Sequence, residues 1–374
     1  MNRLLYISMS LEKSSYGGSI VSRANLQGLK ANEHLEIKEV VLTREIENIY
    51  SWEILASKSK VQTALNNLKG FAGRLNEEIF TRIKSIVKEF QPTIVYLDSS
   101  LLGMVAQWCK KTHPTVKVVT FFHNVEYDFE MDRLKSGKLQ FLPSLFATAT
   151  AEKKAVKYSD VLITLHQTDS ERLYQRYKRK ADYYVPVCIM GEYVPEETLP
   201  HERAVENKPF KIGFIGTAFY ANTMAAEYIS QKIAPHFLND SSVQFVIAGN
   251  GFENYAEKLN KPNLKTSGYI DSLTDFYKDV DVILSPISIG GGMKVKVAEA
   301  LKYNKKVIAS SFTLIGYEQS LGSPDIIRCD SIDEYVAAIH KLKLSRHTVP
   351  ETKHFFQKYY SAKACAEYFK EIFQ

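Results

Sequence analysis

The sequence predicts an α/β protein of two tandem Rossmann-like domains, each an open parallel sheet with helices on both faces. Three observations carry that prediction. Short β-branched and apolar runs alternate with amphipathic helical segments along most of the chain. The alternation breaks once, over Met190–Pro209, where Gly191, Pro195, Pro200 and Pro209 stand among charges. It then restarts in the same form. A length of 374 residues exceeds one typical core and agrees with two.

In chain order, the first half predicts strands near Leu4–Ile7, Ile37–Leu42, Thr93–Leu97, Lys117–Phe122, Val161–Leu165 and Tyr183–Val187. Helices fall between them near Ser19–Lys30, Glu77–Phe90, Leu101–Lys111, Leu145–Tyr158 and Ser170–Tyr177, where apolar residues recur at helical spacing. After the break, strands are predicted near Phe210–Ile215, Val243–Ala248, Leu264–Thr266, Val280–Leu284 and Lys306–Ala309. Helices are predicted near Met224–Phe237, Phe252–Leu259, Leu273–Tyr277 and Val295–Tyr303. Ala362, Ala366, Phe369 and Phe373 mark a last helix within Tyr359–Phe373 that packs back on the body. The expected organisation is a first domain over 1–190, a connection over 191–209, a second domain over 210–345 and a helical tail over 346–374. Ligands of such sheets bind outside the carboxyl ends of strands, so a ligand held by both domains is expected in a cleft between them.

Composition narrows the function classes. The 45% hydrophobic and 24% charged content is that of a folded globular chain, and no apolar run reaches the roughly 18 residues of a membrane span. The start, MNRLLYISMS, reads as a first strand and not as a secretion signal. Cys109, Cys188, Cys329 and Cys365 are far apart, which suggests neither a zinc site nor a disulfide framework and points to a reducing, cytoplasmic setting. The net charge of +6 is uneven: up to residue 190 there are 27 Lys and Arg against 20 Asp and Glu, leaving 21 against 22 beyond. A basic first half suits an anionic membrane surface or a phosphate-bearing acceptor. Nucleic-acid binding is not expected, because no aromatic residues interleave with the basic patch on a known module.

The most informative stretch is Ser285–Asn304, SPISIGGGMKVKVAEALKYN. The run Gly290, Gly291 and Gly292 lets the backbone take positive φ and approach a ligand, and a helix beginning near Met293 turns its free N–H groups toward an anion. Lys294 and Lys296 fall in that first turn, where cations are disfavoured until a negative ligand arrives. Glu299, further along the helix, can accept hydrogen bonds from vicinal hydroxyls such as those of a ribose. The bland alternative is a tight turn with solvated lysines.

Other stretches point the same way. Gly17 and Gly18 follow the first strand and open the first helix, without the GxGxxG spacing of a dinucleotide site. His123 stands just past an apolar strand, where functional groups collect in α/β sheets. Gly249 and Gly251 end another strand, and Gly268-Tyr269-Ile270 can border a planar base. Asp279 and Asp281 have metal-motif spacing but lie at a strand's start, so no metal is expected.

Together, Gly17-Gly18, His123-Asn124-Val125-Glu126 and the block SPISIGGGMKVKVAEALKYNKKVIAS resemble the GT-B glycosyltransferases, most of all the group 1 (GT4-like) retaining enzymes. The likeness runs over nearly the whole chain and is strongest from Phe214-Ile215-Gly216 to Ser310. It implies that the second domain binds a nucleotide diphosphate sugar of UDP or GDP type and that the first holds the acceptor. It further implies that Glu299 binds the ribose, that Gly290, Gly291, Gly292 and Met293 meet the phosphates, and that Ile270 lies by the base. By the same likeness His123 serves catalysis beside the transferred sugar, and Gly17 and Gly18 close over the diphosphate. Two departures stand out: Gly291 occupies the place of a first glutamate, and Thr217–Asn222 lacks the usual Arg and Lys, so Lys294 is expected to supply the missing charge. The implied activity is metal-independent, retaining transfer of a hexosyl-type sugar to a glycan or lipid-linked acceptor in bacterial surface polysaccharide or glycolipid synthesis, with no cofactor. It would be carried out in the cytoplasm or peripherally on an anionic inner membrane face. The alternative is an inactive nucleotide-sugar-binding scaffold of the same fold.

Overall fold

Strands that are buried on both faces require helices on either side, and the first sheet shows it: Leu4, Leu5, Tyr6 and Ile7 are all fully buried. In the computed structural model, residues 1–11, 16–135, 139–191 and 208–374 are described. The expected connection 191–209 therefore falls, from 192 to 207, outside the described residues. The chain divides into two units, one of residues 1–190, 290–292 and 362–374, the other of 191–289 and 293–361.

The first unit carries β1 (Asn2–Ser8), β2 (Leu35–Thr43), β3 (Trp52–Leu55), β4 (Ile94–Leu97), β5 (Lys117–Phe122), β6 (Val161–Thr164) and β7 (Tyr183–Tyr184). They form one parallel sheet in the order β3-β2-β1-β4-β5-β6-β7, with β1 registered as Leu4 to Ile37 on one side and Leu4 to Ile94 on the other. Around it run α1 (Gly17–Lys30), α2 (Lys60–Leu68), α3 (Glu77–Phe90), α4 (Gly103–Thr112), α5 (Glu126–Lys135), α6 (Leu142–Tyr158) and α7 (Gln167–Tyr177). Helix α3 shows why these segments are helical. Asn76 caps it by accepting from the Ile79 N–H at 2.8 Å, Glu77 and Glu78 complement its positive end, and Gln91 stops it in the left-handed region. Its Ile79, Ile83, Ile86 and Phe90 then pack on Leu5, Ile7, Val95 and Leu97 of the sheet.

The second unit has β8 (Phe210–Ile215), β9 (Val243–Ala248), β10 (Leu264–Thr266), β11 (Val282–Ser285), β12 (Lys306–Ala309) and β13 (Ile326–Arg328), parallel in the order β10-β9-β8-β11-β12-β13. Its helices are α8 (Tyr220–Tyr228), α9 (Ala256–Leu259), α10 (Leu273–Asp279), α11 (Val295–Lys302), α12 (Ile332–Leu344) and α13 (Lys353–Phe355). The last helix, α14 (Ala362–Phe373), groups with the first unit, where it packs on α1. In both sheets the chain reverses its direction of growth beside the first strand, between β1 and β4 and again between β8 and β11. These are the two switch points at which ligands of open α/β sheets bind.

Several expectations need correction. The helix of the glycine block starts at Val295, as its periodicity reads, and not near Met293: Gly292 has φ +59° and Lys294 is still extended, so Lys294 caps α11 while Lys296 lies in its first turn. The expected tail 346–374 is not one piece. Arg346 bridges Asp281 at 3.1 Å and donates to the Lys208 and Pro209 carbonyl oxygens, and residues up to 361 group with the second unit. The helix expected over Met224–Phe237 starts at Tyr220 and loosens into a π turn at Ile229–Ile233, then a 3-10 turn bearing Pro235, which has no N–H to continue the α pattern. Helices α2, α5 and α12 and strands β3 and β13 were not read from sequence.

One crossing is fixed by a missing side chain. A Cβ on Gly103, at the start of α4, would lie 1.8 Å from the Ala151 carbonyl oxygen of α6. Gly103→Ala is therefore expected to cost about 3 kcal/mol or more by forcing the helices apart, read as a fall in the urea midpoint with unchanged slope.

Candidate functional site

At the second unit's switch point three loops converge on backbone alone. Gly216, just past β8, donates to the Ala248 carbonyl oxygen at 3.0 Å, and Gly249, just past β9, donates to the Gly268 carbonyl oxygen at 3.0 Å. Gly249 has φ +132°, and a Cβ there would lie 2.0 Å from the Gly216 carbonyl oxygen, so only glycine fits. Gly251 follows at φ +87°, its N–H held by the Glu253 carboxylate at 2.9 Å. Past Gly268, Tyr269 is exposed and Ile270 half-buried. The sequence-predicted Gly249, Gly251 and Ile270 thus belong to neighbouring loops on one edge of this sheet.

Helix α11 brings the charges. Lys296 is buried; its ammonium donates to Asn222 Oδ1 at 2.9 Å and lies 4.0 Å from the centre of the Phe214 ring. Asn222 is itself anchored, its amide donating to the Thr217 carbonyl oxygen at 2.7 Å. Burial, with Lys294 nearby, lowers the Lys296 pKa to about 7 even though Glu299 opposes the shift. Glu299 lies one turn on, partly exposed, and accepts from the Tyr277 hydroxyl at 3.3 Å; burial raises its pKa. Tyr277 is fixed in turn by stacking on Tyr303, with ring centres 4.4 Å apart.

The glycine run ahead of α11 turns sharply, with Gly290 at φ +110° and Gly292 at φ +59°. Met293 drives its side chain into the interior against Gly316, where a Cβ would come 2.5 Å from Met293 Cγ. Lys294 is half-buried with its ammonium 4.5 Å from the Phe312 ring centre, and its carbonyl oxygen accepts from Tyr317 at 2.9 Å. The lysine that the fold sets beside Glu299 and Asn222 is therefore Lys296, which the sequence placed in the turn without singling it out; Lys294 stands one step outside.

The first unit's switch point carries a proton-handling group. His123 follows β5 and its Nε2 lies 3.0 Å from the Asp98 carbonyl oxygen, 3.4 Å from Asp98 Oδ1 and 3.4 Å from Ser22 Oγ. Asp98, fully buried just past β4, also accepts from Ser8 at 2.7 Å. Burial pulls the His123 pKa down, but the charge and hydrogen bonding of Asp98 together outweigh it and the net shift is upward. The loop after His123 is pinned by Glu152, fully buried on α6, which accepts the Glu126 N–H at 2.8 Å and the Tyr177 hydroxyl at 2.7 Å. Burial holds both Glu126 and Glu152 up to about 7. Gly17 and Gly18 open α1, and a Cβ on Gly18 would meet nothing within 4 Å, so packing does not require glycine there.

Asp98, Asn222, Tyr277 and Glu152 escaped the sequence reading. Asp98 had a signal, a carboxylate ending an apolar strand in the run YLDSS; Asn222 and Tyr277 had none, since their role depends on which helix they face. Asp279 and Asp281 are held in ion pairs, with Lys211 at 2.6 Å and Arg346 at 3.1 Å.

Residues 209–343 match the family described as Glycosyl transferases group 1. This stretch is similar to group 1 glycosyl transferases, and the chain has the GT-B fold. Among solved structures, sucrose-phosphate synthase from Thermosynechococcus elongatus superposes with a TM-score of 0.73 at 12% identity, covering 100% of this chain and 98% of that one. HepE from Anabaena, solved with UDP and glucose, gives 0.67 at 11% identity over 100% and 99%. The lipopolysaccharide outer core galactosyltransferase WaaB gives 0.61 at 15% over 99% and 98%. At such identities these likenesses establish the fold of the chain and not its substrates. No curated protein matches the chain significantly.

Two outcomes follow for the second unit. Gly249→Ala is expected to lose about 3 kcal/mol or more, since both its φ and its space exclude a side chain, measured by urea unfolding. Lys296 sheds its proton near pH 7 in the fold but holds it to about 10 when unfolded. Between those values the unfolded chain binds more protons, so stability rises with pH. Wild type is expected to gain on the order of 2 kcal/mol from pH 7 to pH 9 relative to Lys296→Met, read from urea midpoints of both proteins at both pH values. Glu126 and Glu152 are largely ionised by pH 8 in folded and unfolded chains alike, and they cancel between the two proteins.

Proposed function

We propose that the protein is a retaining glycosyltransferase that moves a sugar from a nucleotide diphosphate sugar, of UDP type, to a hydroxyl of a glycan or lipid-linked acceptor. The observation that carries the reading is the buried Lys296 beside Glu299 at the amino end of α11, at the second sheet's switch point. An ammonium kept near neutrality by burial is a poor structural element and a good receptor for a dianion. HepE, which shares the fold, was solved with UDP.

In this reading Lys296, seconded by Lys294, and the N–H groups of Gly290–Met293 take the diphosphate, Glu299 takes the ribose hydroxyls and Ile270 borders the base. Transfer breaks the bond between the anomeric carbon and the β-phosphate oxygen. The electron pair leaves with the phosphate, and the helix end and lysines stabilise that charge. The acceptor hydroxyl adds from the same face and passes its proton to the departing phosphate oxygen, which retains the anomeric configuration and uses no metal. His123, oriented by Asp98, serves the transferred sugar.

Binding of UDP would then draw a proton onto Lys296. Calorimetry at pH 8 in two buffers of different ionisation enthalpy is expected to show net uptake approaching one proton, with affinity falling as pH rises from about 7 to 9. Lys296→Met should abolish the uptake and cost about 2 kcal/mol of binding. The thermal shift produced by UDP without magnesium is expected to vanish in Glu299→Ala. His123→Ala should keep that shift and lose transfer by a factor of about a hundred or more. An inverted product, read from the anomeric proton by NMR, would sink the retaining mechanism. UDP binding without turnover on any acceptor would favour the scaffold reading, to which Gly291 in place of a carboxylate lends support.

A further inference from the structure

Helix α2 is built inside out. A surface helix ordinarily turns its apolar stripe inward, yet here Val61, Ala64, Leu65 and Leu68, spaced as one face, are exposed, Val61 at 72% and Leu68 at 65%. The buried residues are Asn66 and Asn67. Helix α2 packs against α6, and the first turns of α6 add Leu142 and Phe146, exposed at 57% and 65% and one turn apart on the same face. Single exposed leucines are ordinary, but an apolar stripe on one helix, with two more large apolar side chains exposed on the helix it packs against, marks a surface that meets something other than water.

The charge around the stripe says what. No acidic residue lies between Glu53 and Glu77, whereas Lys58, Lys60 and Lys69 bracket α2 at both ends and are exposed. The first 190 residues carry the chain's whole positive excess. An apolar stripe flanked by lysines, on a helix too short to span, is the pattern of a segment lying in the headgroup region of an anionic bilayer. Among the described residues no helix is long and apolar enough to cross a membrane.

We propose that the α2 face docks the protein on an anionic lipid surface, with Val61, Leu65 and Leu68 entering the interface and the three lysines meeting lipid phosphates. The docking deepens the reading of a lipid-linked acceptor, yet it stands on its own residues.

Vesicle flotation tests it. Wild type is expected to float with phosphatidylcholine vesicles in which about a third of the lipid is phosphatidylglycerol and to stay down with phosphatidylcholine alone. Leu65→Gln with Leu68→Gln should weaken vesicle binding at least about tenfold, and Lys58→Gln, Lys60→Gln and Lys69→Gln together about a hundredfold. All five side chains face solvent, so folding, checked by circular dichroism, should be unchanged. Flotation of the leucine variant equal to wild type would remove α2 from the proposal. Absence of flotation on either lipid would overturn it. In that case, light scattering showing a dimer broken by the leucine pair would make the face a self-interface, and a monomer would leave a protein partner. The UDP thermal shift is read on the same variants: its loss in wild type would count against the donor site and leave the flotation result standing.

Discussion

A lysine and a glutamate three residues apart on one helix, both drawn out of water at the open end of a parallel sheet, set the terms for the second unit. Burying an ammonium is costly unless it is paired or neutral. The fold lessens the cost in three ways: Asn222 accepts from it, the face of Phe214 lies beneath it, and its pKa falls to about 7. Each device has its own support. Asn222 is held by the carbonyl after β8, Phe214 is a β8 residue in the core, and Tyr277, which steadies Glu299, is locked in a stack with Tyr303. Glycine at 216 and 249 lets the strand ends close around this group of side chains without crowding it.

The two units share a strand order, and therefore a switch point, yet they fill it with opposite chemistry. In the first, a buried carboxylate and a histidine occupy the carboxyl ends of β4 and β5, an arrangement suited to steering a proton or a hydroxyl. In the second, a lysine and a helix amino end occupy the corresponding place, suited to an anion. Fold explains where each site is, and side chains explain what each can do. One architecture thus appears twice with divided chemistry, a carboxylate and a histidine in one copy and a lysine in the other.

Much of this was legible in the chain. Periodicity placed most strands, because Leu4–Ile7 or Val243–Ala248 can be little else, and the glycine block announced a turn that a ligand could approach. Segments whose pattern runs against the rules were missed. Helix α5, EYDFEMDRLK, has too little apolar content to show a stripe, and α2 has its stripe on the wrong side. Helix α12 carried a plain signal, Ser331 and Glu334 forming a capping box, and was still overlooked. At the site, Glu299 and the glycines could be named from sequence. The different settings of Lys294 and Lys296 could not, because they depend on what other elements bring to each ammonium: Asn222 and Phe214 to Lys296, and Phe312 to Lys294.

Three buried groups, Lys296, Glu126 and Glu152, are all held at about 7. The coincidence has a single cause. Each sits in low dielectric without a full counter-charge, so each is pulled toward its neutral form until solvent and environment nearly balance. Glu152 spends that poise on structure: protonated or not, it still accepts the Glu126 N–H and the Tyr177 hydroxyl. Among the described residues Lys296 donates to Asn222. The same desolvation that raises carboxylates in the first unit lowers a lysine in the second, because burial favours whichever form is neutral.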